Sequence, residues 1–114
     1  MSKKRLINLE HLSILELNGE GSFQLLQGQI TSDVNKVTIN NAEIGAICDI
    51  KGRVVSSFTV IKNTASEGYL LIGDKSVLQK TEEILMKYQP FYDVEIKVNE
   101  DFKFYGIHEE YLVE

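Results

Sequence analysis

Residues Ala42 to Ile61, AEIGAICDIKGRVVSSFTVI, decide the fold. In the first half, Ala42, Ile44, Ala46 and Cys48 alternate with Glu43, Gly45, Ile47 and Asp49. Successive side chains of a strand point to opposite faces, so this spacing predicts a strand with one wholly apolar face. Ile50-Lys51-Gly52-Arg53 breaks the alternation, and its glycine suits a turn position of positive φ. Val54 to Ile61 resumes as a β-branched and aromatic run. The pattern is a β-hairpin central in a sheet, with Asp49, Lys51 and Arg53 around a glycine at its tip. Cys48, on the apolar face, is expected to be a small buried hydrophobe.

On the N-terminal side, Leu12 to Leu17 (LSILEL) predicts a strand ended by the turn dipeptide Asn18-Gly19. Glu20 to Gln29 predicts a short helix, with Phe23, Leu26 and Ile30 at helical spacing and Glu20 at the favourable end of the dipole. Gly28 weakens its end. Thr31 to Asn41 is polar and reads as an irregular connection, pinned to the core by Val34, Val37 and Ile39. On the C-terminal side, Asn63 to Gly68 is a loop and Tyr69 to Ile72 a strand. Ser76 and Gln79 have capping-box spacing at the start of a helix whose stripe is Val77, Thr81, Ile84, Leu85 and Tyr88. Pro90 marks its end. Asp93 to Val98 alternates as a strand, and Phe102 to Ile107 is a candidate for one more. The basic start, Met1 to Arg5, is expected to fray, and the acidic tail after Ile107 to be loose. The order β-α-β-β-β-α-β predicts an α+β fold, a mainly antiparallel sheet with two helices on one face.

At 114 residues the chain is read as one domain, residues 1–114. Its 43% hydrophobic and 25% charged residues are ordinary for a globular protein, and its net charge of −5 argues against direct nucleic-acid or anionic-membrane binding through bulk electrostatics, with Lys3, Lys4 and Arg5 the one local basic cluster. No run is long enough for a membrane helix and no targeting segment is evident. The single cysteine excludes an internal disulfide or a cysteine-cluster metal site. A cytoplasmic location is expected. Dinucleotide, P-loop, zinc-protease and nucleophile-elbow motifs are absent. His11 and His108 lie near opposite ends with no matching ligand spacing, so the expectation is no metal and solvated histidines.

Two polar clusters remain. The first is Gln27-Gly28-Gln29-Ile30-Thr31-Ser32-Asp33. Its amides and hydroxyls either line a pocket or cap the helix and order the connection. The second is Asp49, Lys51, Gly52 and Arg53, followed by Ser56 and Ser57. It is either a solvated turn or the rim of a site.

The same clusters carry a family resemblance. LLQGQITSDV followed by CDIKGRVVSSF resembles the N-terminal part of the YgfZ family, folate-binding relatives of the glycine-cleavage T-protein, an aminomethyltransferase. LMKYQPFYDVEI resembles the helix and strand that close that region, and the likeness covers roughly Leu12 to Ile107. It implies a tetrahydrofolate-binding, T-protein-like N-terminal domain. For the YgfZ branch it implies a role in iron–sulfur cluster assembly or repair, and through that in tRNA modification. It also implies a chain about three times longer with a KGCxxGQE motif, which is missing here, so the sequence resembles a truncated or free-standing N-terminal piece. Ser57 aligns with the acidic residue of the T-protein, its best candidate catalytic group. A hydroxyl of ordinary pKa cannot replace that carboxylate, which disfavours aminomethyl transfer. No catalytic residue is therefore assigned, and the isolated chain is not expected to be an enzyme. The folate-binding candidates are Gln27, Gln29, Thr31, Asp33, Asp49, Lys51, Arg53 and Ser57, with the tip cations meeting a glutamate carboxylate of the folate. Expected partners are folate, iron–sulfur proteins or a second copy. The rival readings are an aminomethyltransferase fragment and a small protein-interaction module.

Overall fold

The alternating and β-branched segments assemble into an antiparallel sheet in the computed structural model, which describes residues 2–8, 11–64, 66–99 and 105–111. The main sheet holds β2 (Leu12–Asn18), β3 (Glu43–Cys48), β4 (Val54–Asn63), β5 (Gly68–Asp74) and β6 (Glu95–Asn99) in the order β3-β4-β5-β2-β6. Every neighbouring pair in it is antiparallel. Two helices, α1 (Ser22–Gln29) and α2 (Lys75–Met86), follow β2 and β5. The predicted α+β order is thus present from β2 to β6. The hairpin is not central, however. Its first strand, β3, is a sheet edge, and the middle strand is β5, flanked by β4 and β2.

A second, two-stranded sheet pairs β1 (Ser2–Asn8) with β7 (Tyr105–Tyr111), Ser2 opposite Tyr111 and Asn8 opposite Tyr105. For residues 2–5 and 108–111 this corrects the expectation of a frayed start and a loose tail, while Met1 lies outside the described residues. The two segments satisfy each other's backbone groups, a pairing that neither displays alone. The tail beyond residue 111 lies outside the described residues.

One core lies between the main sheet and the helices. Leu15 and Leu17 of β2, Phe58 and Val60 of β4, and Tyr69 and Leu71 of β5 pack with Leu25 and Leu26 of α1 and Leu78 and Leu85 of α2. Full burial of each such side chain contributes about 1.5–3 kcal/mol, so Leu71→Ala at the centre should cost about 2–5 kcal/mol. Val34 and Val37 pin the connection as expected, but Ile39 is 77% exposed, carried outward by the tight Thr38–Asn41 bridge.

The helix starts differ from expectation for local reasons. Gly19 and Gly21 lie against the Asp93 backbone, where a Cβ on either would come within 2.5–2.6 Å of it. The Gly21 N–H donates to Asp93 O at 2.8 Å, so α1 begins only at Ser22 and Glu20 precedes its cap. For α2 the cap is Asp74, not Ser76: the Asp74 carboxylate accepts from the Ser76 N–H and hydroxyl at 2.9 and 2.6 Å. Leu78, Thr81 and Leu85 form the buried stripe, and Tyr88 is exposed.

Candidate functional site

The hairpin presents the reverse of its predicted face. Ile47 is 4% exposed and Gly45 is buried, whereas Ile44 is 76% exposed and Cys48 is open to solvent. Gly45 explains the inversion. A Cβ there would stand 3.1 Å from Phe58 Cε2 and 3.3 Å from both Ile30 Cδ1 and Val60 Cγ2. Two large side chains of the sheet and one from the end of α1 therefore fill the space above the glycine, and the more apolar set turns outward. Cys48 as a buried hydrophobe is corrected by the same geometry.

The outward face carries Ile44 opposite Thr59 and Ala46 opposite Ser57, and residue pairs that face each other share one side of a sheet. The register shifts between Ile47 and Cys48, so that exposed Cys48 opposes exposed Val54. Such an irregularity bends the strand and re-aims its side chains. Beyond it the Ile50 side chain is fully exposed at the tip. The result is an open apolar platform with the Ser57 hydroxyl among small and aliphatic side chains.

The platform's outer margin is the end of α1. The Thr31 N–H donates to Ala46 O at 2.9 Å, and the Ser32 hydroxyl donates to Ile44 O. These bonds occupy edge acceptors of β3 that would otherwise be open to another strand. They also bring the two polar clusters to one edge, with Thr31 and Ser57 on either side of Ala46. Ser32, absent from the predicted site, is a fastening residue there. The long-range bond to Ile44 leaves no trace in the local sequence.

Other members of the first cluster are occupied structurally. Gln27 Oε1 accepts from the Val34 N–H at 2.8 Å and Asp33 Oδ1 from the Asn35 N–H at 3.0 Å, ordering the short helical turn Val34–Lys36. Both are on the surface, and Gln29 is half-buried. Of the two readings of this cluster, capping and ordering hold for Gln27 and Asp33.

At the tip, Asp49 organises the turn. Its Oδ1 accepts from the N–H of Lys51 at 2.9 Å and of Arg53 at 3.0 Å, while Oδ2 takes the Arg53 Nε at 3.0 Å. The Gly52 N–H donates to Asp49 O, and Gly52 adopts φ +80°, a conformation most side chains disfavour. The Arg53 backbone N–H, with the Lys51 N–H and the guanidinium behind it, holds the Asp49 carboxyl below its ordinary value. Lys51 has no ion-pair partner among the described residues, and 72% of the Arg53 side chain stays exposed.

The two serines separate. Ser56 is buried on the helix side, bonded to the Thr81 hydroxyl, whereas Ser57 faces outward. Among the described residues no three His, Cys, Asp or Glu side chains converge as a metal site, and no helix is long and apolar enough to cross a membrane.

This architecture defines a class. The crystal structure of the glycine cleavage system aminomethyltransferase T from Bartonella henselae matches it with a TM-score of 0.75 at 12% identity, over 85% of this chain and 27% of that one. The chain therefore has the fold of a segment of the aminomethyltransferase T protein. No protein-family model matches it. The tRNA-modifying protein YgfZ of Colwellia psychrerythraea is 35% identical over 102 residues, which make up 90% of this chain and 31% of that protein. Its counterpart in Photobacterium profundum is 36% identical over 101 residues, 89% of this chain and 30% of the relative. Over about nine-tenths of its residues the chain is therefore similar to a segment of YgfZ proteins. It spans about three-tenths of the curated relatives it matches.

Proposed function

We propose that this chain supplies part of a tetrahydrofolate site in a YgfZ-type protein that assists iron–sulfur cluster assembly or repair, and thereby tRNA modification. The observation that carries the reading is the outward apolar platform of β3 and β4, bounded by Thr31 and by the cations of the tip, on a T-protein fold. A reduced folate is a flat heterocycle with polar edges and an anionic tail, and the residues present fit those parts. Ile44, Ala46 and Thr59 offer a flat surface, Ser57 and Thr31 hydroxyls, and Lys51 and Arg53 positive charge. A reduced folate, when bound, carries one-carbon units on its nitrogen atoms. The side chains here would bind and orient it without moving a proton, because no carboxylate stands at the Ser57 position. In this reading Gln27 and Asp33 act indirectly, by ordering the Val34–Lys36 turn that follows Thr31 and Ser32.

Titration of this chain with monoglutamyl tetrahydrofolate, followed by calorimetry, tests the reading. Saturable binding of one equivalent, weakened by Lys51→Ala with Arg53→Ala, is expected. Absence of heat up to millimolar ligand would refute a site built from these residues.

A second reading rests on the same face. Ile44, Ile50 and Val54 are large apolar side chains in solvent, and β3 has the near-continuous apolar composition of a strand covered on both sides. We infer that the face also meets protein, as a docking surface for another polypeptide or a second copy. Sedimentation over a hundredfold concentration range, with Ile44→Asp as the comparison, decides whether the partner is a second copy.

A further inference from the structure

The tip turn spends four of its backbone donors internally. The N–H groups of Lys51 and Arg53 go to the Asp49 carboxylate, that of Gly52 to Asp49 O, and the Asp49 N–H to Arg53 O at 2.9 Å. An anion approaching the tip therefore finds no backbone amide among Lys51, Gly52 and Arg53. What remains is the Lys51 ammonium and the Nη edge of Arg53, whose Nε is already gripped by Asp49 Oδ2. A guanidinium fixed through Nε keeps its outer edge as a fork that matches a carboxylate. Two cations two residues apart on a locked turn suit successive carboxylates along a chain, and locking the turn beforehand removes the cost of ordering it on binding.

We propose that Asp49 is a positioning residue that holds Lys51 and Arg53 as a preformed clamp for an oligocarboxylate chain, the chemical class of a γ-linked polyglutamyl tail. The clamp rests on the folate reading for its biological ligand but is tested without the pterin. Electrostatics alone predicts the opposite sign for Asp49. Its carboxylate is paired with the Arg53 guanidinium and bonded to the Lys51 backbone, so deleting this negative charge would strengthen attraction to a polyanion if the turn played no part.

The probe is γ-linked pentaglutamate, titrated into the whole chain at low ionic strength and followed by amide shifts of residues 49–54 in nuclear magnetic resonance spectra. Saturable binding is expected, about tenfold weaker in Lys51→Gln and unchanged in Lys80→Gln, a charge-matched control on α2. Asp49→Ala should bind several-fold more weakly although it removes a negative charge. Asp49→Asn, which keeps an acceptor for the two backbone amides, should fall between it and the unaltered chain. Equal or tighter binding by Asp49→Ala would overturn the positioning role, and so would the absence of pentaglutamate binding by the unaltered chain. Monoglutamyl tetrahydrofolate is titrated alongside. If it binds while pentaglutamate does not, the clamp fails and the folate site stands; the reverse result separates the two the other way.

Discussion

Replacing Thr81 with valine removes one hydroxyl and leaves the side-chain shape nearly intact. Thr81 is fully buried, donates to Val77 O at 2.8 Å and is bonded to the hydroxyl of buried Ser56. Its single proton goes to the carbonyl, so Ser56 must be the donor in the shared bond. The two substitutions are therefore unequal. Thr81→Val leaves the Ser56 hydroxyl with no acceptor in a dry interior, which costs about 1–3 kcal/mol. Ser56→Ala deletes a donor and orphans none, because Thr81 keeps its bond to Val77, and it should cost only about 0.5–1.5 kcal/mol. On the Ser56→Ala background, Thr81→Val should add little. The double variant should then lie about 1–2 kcal/mol above additivity in stability. Urea unfolding followed by far-ultraviolet circular dichroism gives all four values, with an unchanged m confirming comparable states. Strict additivity, or a Ser56→Ala cost above that of Thr81→Val, would refute the donor assignment.

Three further outcomes follow from the hairpin and the helix cap. Ile44→Ser should change stability by less than about 0.5 kcal/mol, whereas Ile47→Ala should cost about 2–5 kcal/mol; the reverse ranking in denaturant unfolding would mean that the strand faces the other way. The Cys48 thiol should react with a small disulfide reagent in the folded chain within a few-fold of its rate in denaturant, and strong protection would contradict its exposure. The Ser76 hydroxyl, with the Ser76 N–H behind it, keeps the Asp74 carboxyl below its ordinary value. A depressed folded pKa adds stability that is present above the unfolded value and lost as pH falls through the folded one. Thermal unfolding should therefore show Asp74→Ala less stable than the unaltered chain near neutral pH, with the gap closing below about pH 4.

The element order was legible because β2, β4 and the stripe of α2 carry their periodicity locally. The direction of β3 was not. Hydrophobic alternation gives glycine no weight, yet Gly45 is the inward residue because Phe58, Ile30 and Val60 need its empty space. The start of α1 was displaced by the Asp93 backbone, more than sixty residues away in the chain. The pairing of β1 with β7 lay equally far beyond any local window. At the site, the tip cluster could be read from its composition. The roles within the first cluster could not, since Gln27 and Asp33 are claimed by amides of the connection and only Thr31 is tied to β3.

The strand order has a consequence for how the chain is made. The hairpin of β3 and β4 and the adjoining β5 are neighbours in sequence and can zip together as they are synthesised. β2 emerges earlier than any of them, but its partners are β5 on one side and β6 on the other. At typical elongation speeds the interval between Leu15 and its second partner, Val98, is on the order of 4–16 s. For that time one of the most apolar strands of the sheet has a bare edge, a window in which a chaperone holdase, or a second nascent chain, competes for LSILEL.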